Sequence, residues 1–328
     1  MTDAPTSIVP LERVAELWFE DGTLVIVAQQ TAFKVHRSIL AARSSVFRDM
    51  LAMPQNADFV ENLDGCPMVV LSDAPRDLIC FLRAIFDSSY FMPSPHMADL
   101  SEALSILRLS HKYAVDYLFR RALTHLDGGL YFRSFHDFHE RPHGFGSIRL
   151  IDGSDEEWNA NINSPLPFVL MLQAAVEVDA PWLQPVAVYW ACSVPLNSLM
   201  SLPIENTSRD TLQQLVQWRT ALMHARAKFL AKFAEFGVKA WCSESPSGCL
   251  QARLAYVTRA MMRHKGGDDA SILEPIDTEG LGFCTSCAEQ ADNVGKIHAI
   301  DSWAQLPRLL GLPTWLQLGE QRKAVLAL

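Results

Sequence analysis

The sequence predicts an α+β protein, with a small sheet and a cluster of helices in the first half and a mainly α-helical second half. Three observations lead to this prediction. Short strand-like runs occur early, at residues 24–28, 32–36 and 69–71. Segments with apolar residues at helical spacing follow them. Beyond an irregular stretch at residues 128–163, helical spacing returns without further strand-like runs.

The first two runs predict a pair of strands. Leu24 to Ala28 is apolar and rich in β-branched residues, which is typical of a strand buried on both faces. Phe33 and Val35 alternate with polar or small residues, which predicts a half-buried strand. Gln29-Gln30-Thr31 is short enough to connect the two strands tightly.

Helical spacing begins after Val35, and six further boundaries can be predicted. The first apolar face consists of Leu40, Phe47, Met50 and Leu51. Ser44 and Ser45 lie where one helix would end and the next would be capped. The later boundaries are a helix start at Pro75, a break at residues 88–95, caps at Ser101 and Asp116, and a stop at Gly128-Gly129.

The order of these elements over residues 17–127 resembles the BTB/POZ domain. The matching segments are the strand pair, Val35-His36-Arg37-Ser38-Ile39-Leu40, Ser44-Ser45-Val46-Phe47 and Leu107-Arg108-Leu109-Ser110-His111-Lys112-Tyr113. The resemblance implies a module that binds other proteins, including a second copy of itself, and does no chemistry. It also implies that His36 belongs to the structural signature of the fold and is not a catalytic residue.

The layout of the whole chain is similar to that of a large group of uncharacterised fungal BTB proteins. The shared segments are Leu17-Trp18-Phe19-Glu20-Asp21-Gly22, Asp64-Gly65-Cys66-Pro67, and Leu306-Pro307 with Gly311-Leu312-Pro313-Thr314-Trp315. We therefore expect an amino-terminal extension at 1–16, a BTB/POZ-like domain at 17–127, an insertion or linker at 128–163, and a mainly helical domain at 164–328.

Four segments of the second half predict helices. They are Phe168 to Val178, Trp182 to Cys192, Asp210 to Phe236, and a segment whose inner face would hold Leu250, Leu254, Val257 and Met261. The third would be about 40 Å long at 1.5 Å per residue and would end at Gly237. Its apolar stripe comprises Leu215, Trp218, Leu222, Phe229, Phe233 and Phe236. We interpret the stripe as a core face; on a protruding helix it would be a dimer or partner surface.

Four cysteines form the candidate site: Cys242, Cys249, Cys284 and Cys287. Cys284 and Cys287 have the two-residue spacing of a metal knuckle, whereas six residues separate Cys242 from Cys249. Four thiolates would bind one structural zinc ion with no open position for catalysis. Two alternatives remain open, which are buried free thiols and a redox pair at Cys284 and Cys287. No other cofactor is expected.

A second cluster runs from His136 to His143 and contains Asp137, His139 and Glu140. It lacks the His-Glu-x-x-His spacing of metalloproteases, and Pro142 with Gly144 disfavours a long helix. We interpret the cluster as a solvated loop.

Composition and motifs exclude several function classes. The net charge of −9 disfavours nucleic-acid binding, and no apolar run reaches about 18 residues. The first residues show no charged segment followed by an apolar one, so we expect no secretion. Seven cysteines then indicate reduced thiols or metal ligands. We therefore expect an intracellular protein, cytoplasmic or nuclear, that binds no membrane. No phosphate-binding loop, nucleophile elbow or kinase signature occurs.

The sequence thus predicts a non-enzymatic interaction protein that acts through self-association, as a homodimer, or through recruitment of a protein partner. One alternative is an adaptor for a cullin-type ubiquitin ligase, although Asp87-Ser88-Ser89-Tyr90-Phe91-Met92 replaces the contact segment expected after Phe86. The other is a metal-dependent enzyme or sensor that uses the cysteine and histidine clusters.

Overall fold

The structure is a computed structural model that describes residues 11–53, 62–140, 145–150, 164–203, 207–235, 242, 244–262 and 270–327. The chain divides into two compact units. The first comprises residues 1–125 and 147–149, and the second comprises residues 126–146 and 150–328. The first combines a sheet with helices and the second is mainly helical, so the predicted α+β class is confirmed. Among the described residues, no helix has the length and hydropathy needed to cross a bilayer.

A five-stranded sheet with the order β1-β3-β2-β5-β4 organises the first unit. Its strands are β1 (Glu12–Trp18), β2 (Leu24–Ala28), β3 (Thr31–Val35), β4 (Asn62–Leu63) and β5 (Cys66–Leu71). The predicted hairpin of β2 and β3 is confirmed, with Ala28 opposite Thr31 across the turn. The prediction missed β1, which pairs with β3 at the sheet edge. Its residues are mostly exposed, so it lacks the apolar alternation that identifies a strand.

The prediction that β3 is half-buried was wrong, because both faces of the central strands are covered. Phe33 and Val35 on one face and Ala32 on the other are all fully buried. The face of Ala32 holds a small apolar cluster of Val25, Val27, Ala32 and Cys66. Among the described residues, the partly buried hydrophobic side chains that pack against it are Leu11, Trp18, Leu63 and Met68.

Four complete helices, the first part of a fifth and a second small sheet also belong to the first unit. The helices are α1 (Arg37–Arg43), α2 (Ser45–Ala52), α3 (Pro75–Phe86) and α4 (Leu100–Lys112). The predicted cap at Ser44 and helix start at Pro75 are confirmed. The predicted cap at Ser101 was wrong, because α4 begins at Leu100 with Asp99 before it. The two-stranded sheet pairs β6 (Ala98–Asp99) with β7 (Ile148–Arg149) in parallel.

Helix α5 (Asp116–Leu130) runs through Gly128 and Gly129, so the predicted stop there was wrong. Close packing against a neighbouring segment explains why glycine occurs here inside a helix. A Cβ atom on Gly129 would lie 2.5 Å from the Phe145 ring and 3.1 Å from the Phe145 carbonyl oxygen. Gly129 is therefore required because a neighbouring segment approaches its Cα atom, and it does not end the helix.

A buried histidine on α5 joins three segments of the first unit. His125 is fully buried, and its Nδ1 lies 2.7 Å from the Ser147 hydroxyl. Its Nε2 lies 2.9 Å from the carbonyl oxygen of Met92. Burial lowers the pKa of His125, which favours the neutral ring. The ring then donates from Nε2 to the Met92 carbonyl and accepts at Nδ1 from Ser147.

Eight α-helices and one 3₁₀ turn are described in the second unit beyond α5. They are α6 (Phe135–His139), α7 (Leu166–Glu177), the 3₁₀ turn Pro181–Leu183, α8 (Gln184–Cys192), α9 (Leu196–Met200), α10 (Arg209–Glu235), α11 (Pro246–Met261), α12 (Thr285–Leu309) and α13 (Trp315–Leu326). The four predicted helices are confirmed. Phe236 and Gly237 lie outside the described residues.

The apolar stripe of α10 is confirmed as a core face. Leu215 and Leu222 are fully buried, and Phe229 and Phe233 are at least 93% buried. Phe233 meets the Tyr256 ring of α11 edge-on at 5.4 Å.

The predicted inner face of α11 was wrong at three of its four residues, and only Val257 is buried as predicted. Leu250, Leu254 and Met261 are 42%, 48% and 46% exposed. The buried face instead includes Cys249 and Arg253, together with Ala252, Tyr256, Val257 and Ala260. One thiol and one guanidinium thus lie on the buried face, whereas hydrophobicity alone favours the leucines for that face.

A buried ion pair anchors α13 within the second unit. Arg322 donates from Nε and Nη2 to the two carboxylate oxygens of Asp127, both at 2.6 Å. The Trp182 indole N–H donates to the same carboxylate at 3.1 Å. The side chains of Arg322 and Asp127 are only 16% and 9% exposed. Such a two-pronged, partly dry ion pair is stronger than a surface pair.

Candidate functional site

The four predicted cysteines come together in the second unit. Cys249 lies at the end of the first turn of α11, and Cys287 lies in the first turn of α12. Cys284 is the residue that precedes α12. Cys242 joins them from the chain before α11.

Local sequence explains why α11 begins just before Cys249. Ser245 caps the helix, and its hydroxyl accepts a hydrogen bond from the Gly248 amide. Pro246 occupies the first helical position, where its missing N–H leaves no hydrogen bond unmade. The Pro and Gly residues between Cys242 and Cys249 thus belong to the helix start.

The spacing of the sulfur atoms matches a tetrahedral metal site. The Cys242 sulfur lies 3.6 Å from that of Cys249 and 3.9 Å from that of Cys284. All four sulfur atoms lie within 4.8 Å of one another. Zinc–sulfur bonds of about 2.3 Å in a tetrahedron place the sulfurs about 3.8 Å apart. None of the four cysteines forms a disulfide, which would need a sulfur–sulfur distance of about 2.0 Å.

The surroundings of the cluster are mostly dry. Cys249, Cys284 and Cys287 are buried, and Cys242 is half-buried. Burial raises the pKa of the Cys287 thiol to about 12 and also raises the pKa of Cys249. Burial therefore favours the protonated form of these two thiols, and a bound cation would stabilise their thiolates.

Backbone groups already favour negative charge on the sulfurs. The Cys284 amide donates to the Cys249 sulfur at 3.3 Å. Helices α11 and α12 both start at the cluster, and the N-terminus of a helix carries partial positive charge. Four soft thiolates in this geometry fit one zinc ion, and they leave no coordination position for a substrate.

The histidine cluster does not assemble a comparable site. Among the described residues, only the four cysteines gather three or more potential metal ligands. His136, His139 and Glu140 are exposed on or beside α6 and line a cavity of about 540 Å³. Because α6 is a helix, the predicted loop was wrong there, although the predicted solvation is correct. His143 lies outside the described residues.

In the first unit, two distant segments of the predicted signature meet. The Ser44 hydroxyl donates to the carbonyl oxygen of Tyr113, 69 residues further along the chain, at 2.5 Å. It also accepts from the amide of Phe47, whose ring stacks on Tyr113 at 4.6 Å. The Tyr113 hydroxyl in turn donates to Asp73 at 2.5 Å. These contacts hold α2 and the end of α4 in one core.

His36 lies between apolar rings. Its ring centroid is 5.2 Å from that of Phe19 and 6.4 Å from that of Phe86. The nearest carboxylate belongs to Asp21, at 3.5 Å, and is 85% exposed. This environment fits a packing role for His36.

Sequence reasoning missed Arg253, a charged residue beside the cysteine cluster. Arg253 is 1% exposed and lies four residues after Cys249 on α11. The i, i+4 spacing to Cys249 was the signal that could have identified it.

Comparison with known protein families assigns the first unit. Residues 19–129 match the BTB/POZ domain. No curated protein matches the chain. The matched range includes β2, β3 and β5 with helices α1 to α4, and it contains the Ser44, Phe47 and Tyr113 contacts described above. The chain is therefore a BTB domain-containing protein, with its BTB/POZ domain at residues 19–129.

Proposed function

We propose that this protein is a non-enzymatic interaction protein whose BTB/POZ domain associates with itself or recruits a protein partner. The match of residues 19–129 to a family of interaction modules is the observation that supports it. The resemblance to fungal BTB proteins and a role as a ligase adaptor remain predictions.

Self-association is supported by an exposed valine beside the small apolar cluster of the first sheet. On β5, Val70 lies opposite Val27 of the small apolar cluster and is 66% exposed. Its neighbours Met68 and Trp18 are only partly buried. A second chain could bury this apolar surface, and each fully buried aliphatic side chain would contribute about 1.5–3 kcal/mol.

Light scattering of the full chain over a concentration series tests self-association. We expect a dimer whose dissociation constant rises about tenfold in Val70→Glu, which corresponds to about 1.4 kcal/mol. Met53→Glu is the matched control, because Met53 is 64% exposed and lies outside the apolar cluster. A wild-type monomer at every concentration contradicts self-association.

Affinity purification from native cells tests partner recruitment. We expect partners of the full chain to be lost from a variant that lacks residues 17–127. Recovery of the same partners with both proteins would contradict a recruiting role for the BTB/POZ domain. A cullin scaffold among the partners would assign the adaptor subtype.

We further propose that Cys242, Cys249, Cys284 and Cys287 bind one structural zinc ion. Its support is the sulfur spacing of 3.6 and 3.9 Å together with the buried, all-thiol donor set. When bound, the ion would link the chain before α11 to the starts of α11 and α12 and stabilise the fold.

Elemental analysis of the purified full chain tests this site. We expect one zinc per chain in the wild type and none in Cys287→Ala. Cys192→Ala is the matched control, because Cys192 is a fully buried thiol of the same unit outside the cluster and should leave the zinc in place. Zinc-free wild type would favour free thiols, and a Cys284–Cys287 disulfide found by mass spectrometry would favour the redox pair.

A further inference from the structure

Arg253 carries a charge into the interior of the second unit. It is 1% exposed and is among the largest fully buried side chains of the described chain. Its Cζ atom lies 5.1 Å from the centre of the Phe233 ring. Burial of a guanidinium is costly unless negative charge or aromatic faces lie close to it.

The cysteine cluster is a source of such negative charge. Burial lowers the pKa of Arg253, whereas negative charge on Cys287 and Cys249 raises it. Arg253 follows Cys249 by one helical turn, so both side chains extend from the same face of α11. The guanidinium therefore lies within electrostatic reach of two of the four sulfur atoms.

With a metal ion bound, the cluster would need positive charge close to it. Four thiolates and one divalent cation together carry two net negative charges. The starts of α11 and α12 each supply about half a positive charge, and one guanidinium supplies a full one. These three groups offset the two negative charges.

We propose that Arg253 is the buried counter-charge of the zinc centre, and that its guanidinium stabilises the dianionic four-thiolate complex. This inference rests on the proposed zinc site. It predicts that loss of the guanidinium charge weakens zinc binding.

The test compares Arg253→Met with wild type in the full chain, by zinc competition against a chelator and by thermal unfolding with and without zinc. We expect the zinc dissociation constant to rise about 10–100-fold, as for other residues that support metal ligands. We expect the variant to lose more stability with zinc than without it, because weaker zinc binding reduces the stabilisation that the ion supplies. A purely structural role would lower stability equally in both states.

Arg219→Met is the matched control. Arg219 is 2% exposed in the same unit, and it donates to the carbonyl oxygens of Cys192 and Val194, which are not part of the cluster. We expect this variant to lose stability equally with and without zinc and to keep its zinc affinity. If Arg253→Met does not fold, Arg253→Lys and Arg253→Gln give the same comparison. Lysine keeps the charge and should retain most of the affinity, whereas glutamine should not.

Wild-type zinc affinity in the uncharged variants, or an equal loss of stability in both metal states, would overturn the role of Arg253 and leave the zinc site intact. A wild-type chain that binds no zinc would overturn both proposals.

Discussion

Asp127→Asn removes the charge that Arg322 of α13 contacts, at nearly constant side-chain volume. The carboxylate accepts two hydrogen bonds of 2.6 Å from Arg322 and one of 3.1 Å from Trp182. Asparagine offers one oxygen acceptor, so the paired geometry to the guanidinium is lost and Arg322 keeps its charge in a site where it is 16% exposed. Loss of one partner from a buried pair costs about 3–5 kcal/mol.

Asparagine retains part of the hydrogen bonding, so we expect about 3 kcal/mol, the lower end of that range. In a unit of this size, each kcal/mol lowers the unfolding temperature by about 2–4 °C, which gives a decrease of about 6–12 °C. Calorimetry of the full chain measures this decrease in the unfolding temperature. Lys296→Gln is the control, because its pair with Asp292 is exposed and should contribute less than about 0.5 kcal/mol.

A double-mutant cycle with Arg322→Gln decides whether the pair is responsible. We expect a coupling energy of more than about 1.5 kcal/mol between the two positions. A coupling energy near zero, or an effect of Asp127→Asn no larger than that of Lys296→Gln, would refute the reasoning.

Three further predictions concern packing, pH and capping. Gly129→Ala should destabilise the second unit by about 1–3 kcal/mol, because its Cβ would lie 2.5 Å from the Phe145 ring. The adjacent Gly128→Ala, whose Cβ meets no atom closer than 4.0 Å, should instead stabilise α5 by about 0.5–1 kcal/mol in denaturant titration; similar losses for both would contradict the packing argument. Burial lowers the pKa of His298 to about 4, below its unfolded value of about 6.5. The contribution of His298 to the stability of the fold is therefore complete above pH 6.5 and decreases as the pH falls toward 4. His298→Gln should flatten the stability profile over that range, and an unchanged profile would assign the loss to other groups. Ser44→Ala removes a helix cap and a buried hydrogen bond, so urea unfolding should show a loss of about 1–3 kcal/mol in the first unit. A loss below about 0.5 kcal/mol would show that neither contact contributes measurably.

Local signals predicted most elements correctly because their causes are local. Pro75 and Ser44 act through the backbone of their own helix, so the sequence alone predicts their positions at the helix starts. The four cysteines could likewise be selected by residue type and spacing. Their convergence depends on how α11 and α12 pack, which the sequence does not show.

The errors have non-local causes. Gly128-Gly129 has the composition of a helix stop, and only the approach of Phe145 shows why α5 continues. On α11, hydrophobicity favoured Leu250 and Leu254 as inner residues, whereas the packing around Cys249 placed them outside. The ion pair of Asp127 and Arg322 joins residues 195 positions apart, a distance over which one sequence contains no pairing signal.

The pairing of β6 with β7 has a consequence for the order in which the chain can fold during synthesis. Strand β7 and Ser147 belong to the first unit, although they follow residues 126–146 of the second. A nascent chain that ends at Gly129 contains the whole BTB/POZ match but lacks the hydroxyl that contacts His125. The amino-terminal unit can therefore reach its final fold only after about twenty residues beyond the family boundary have left the ribosome.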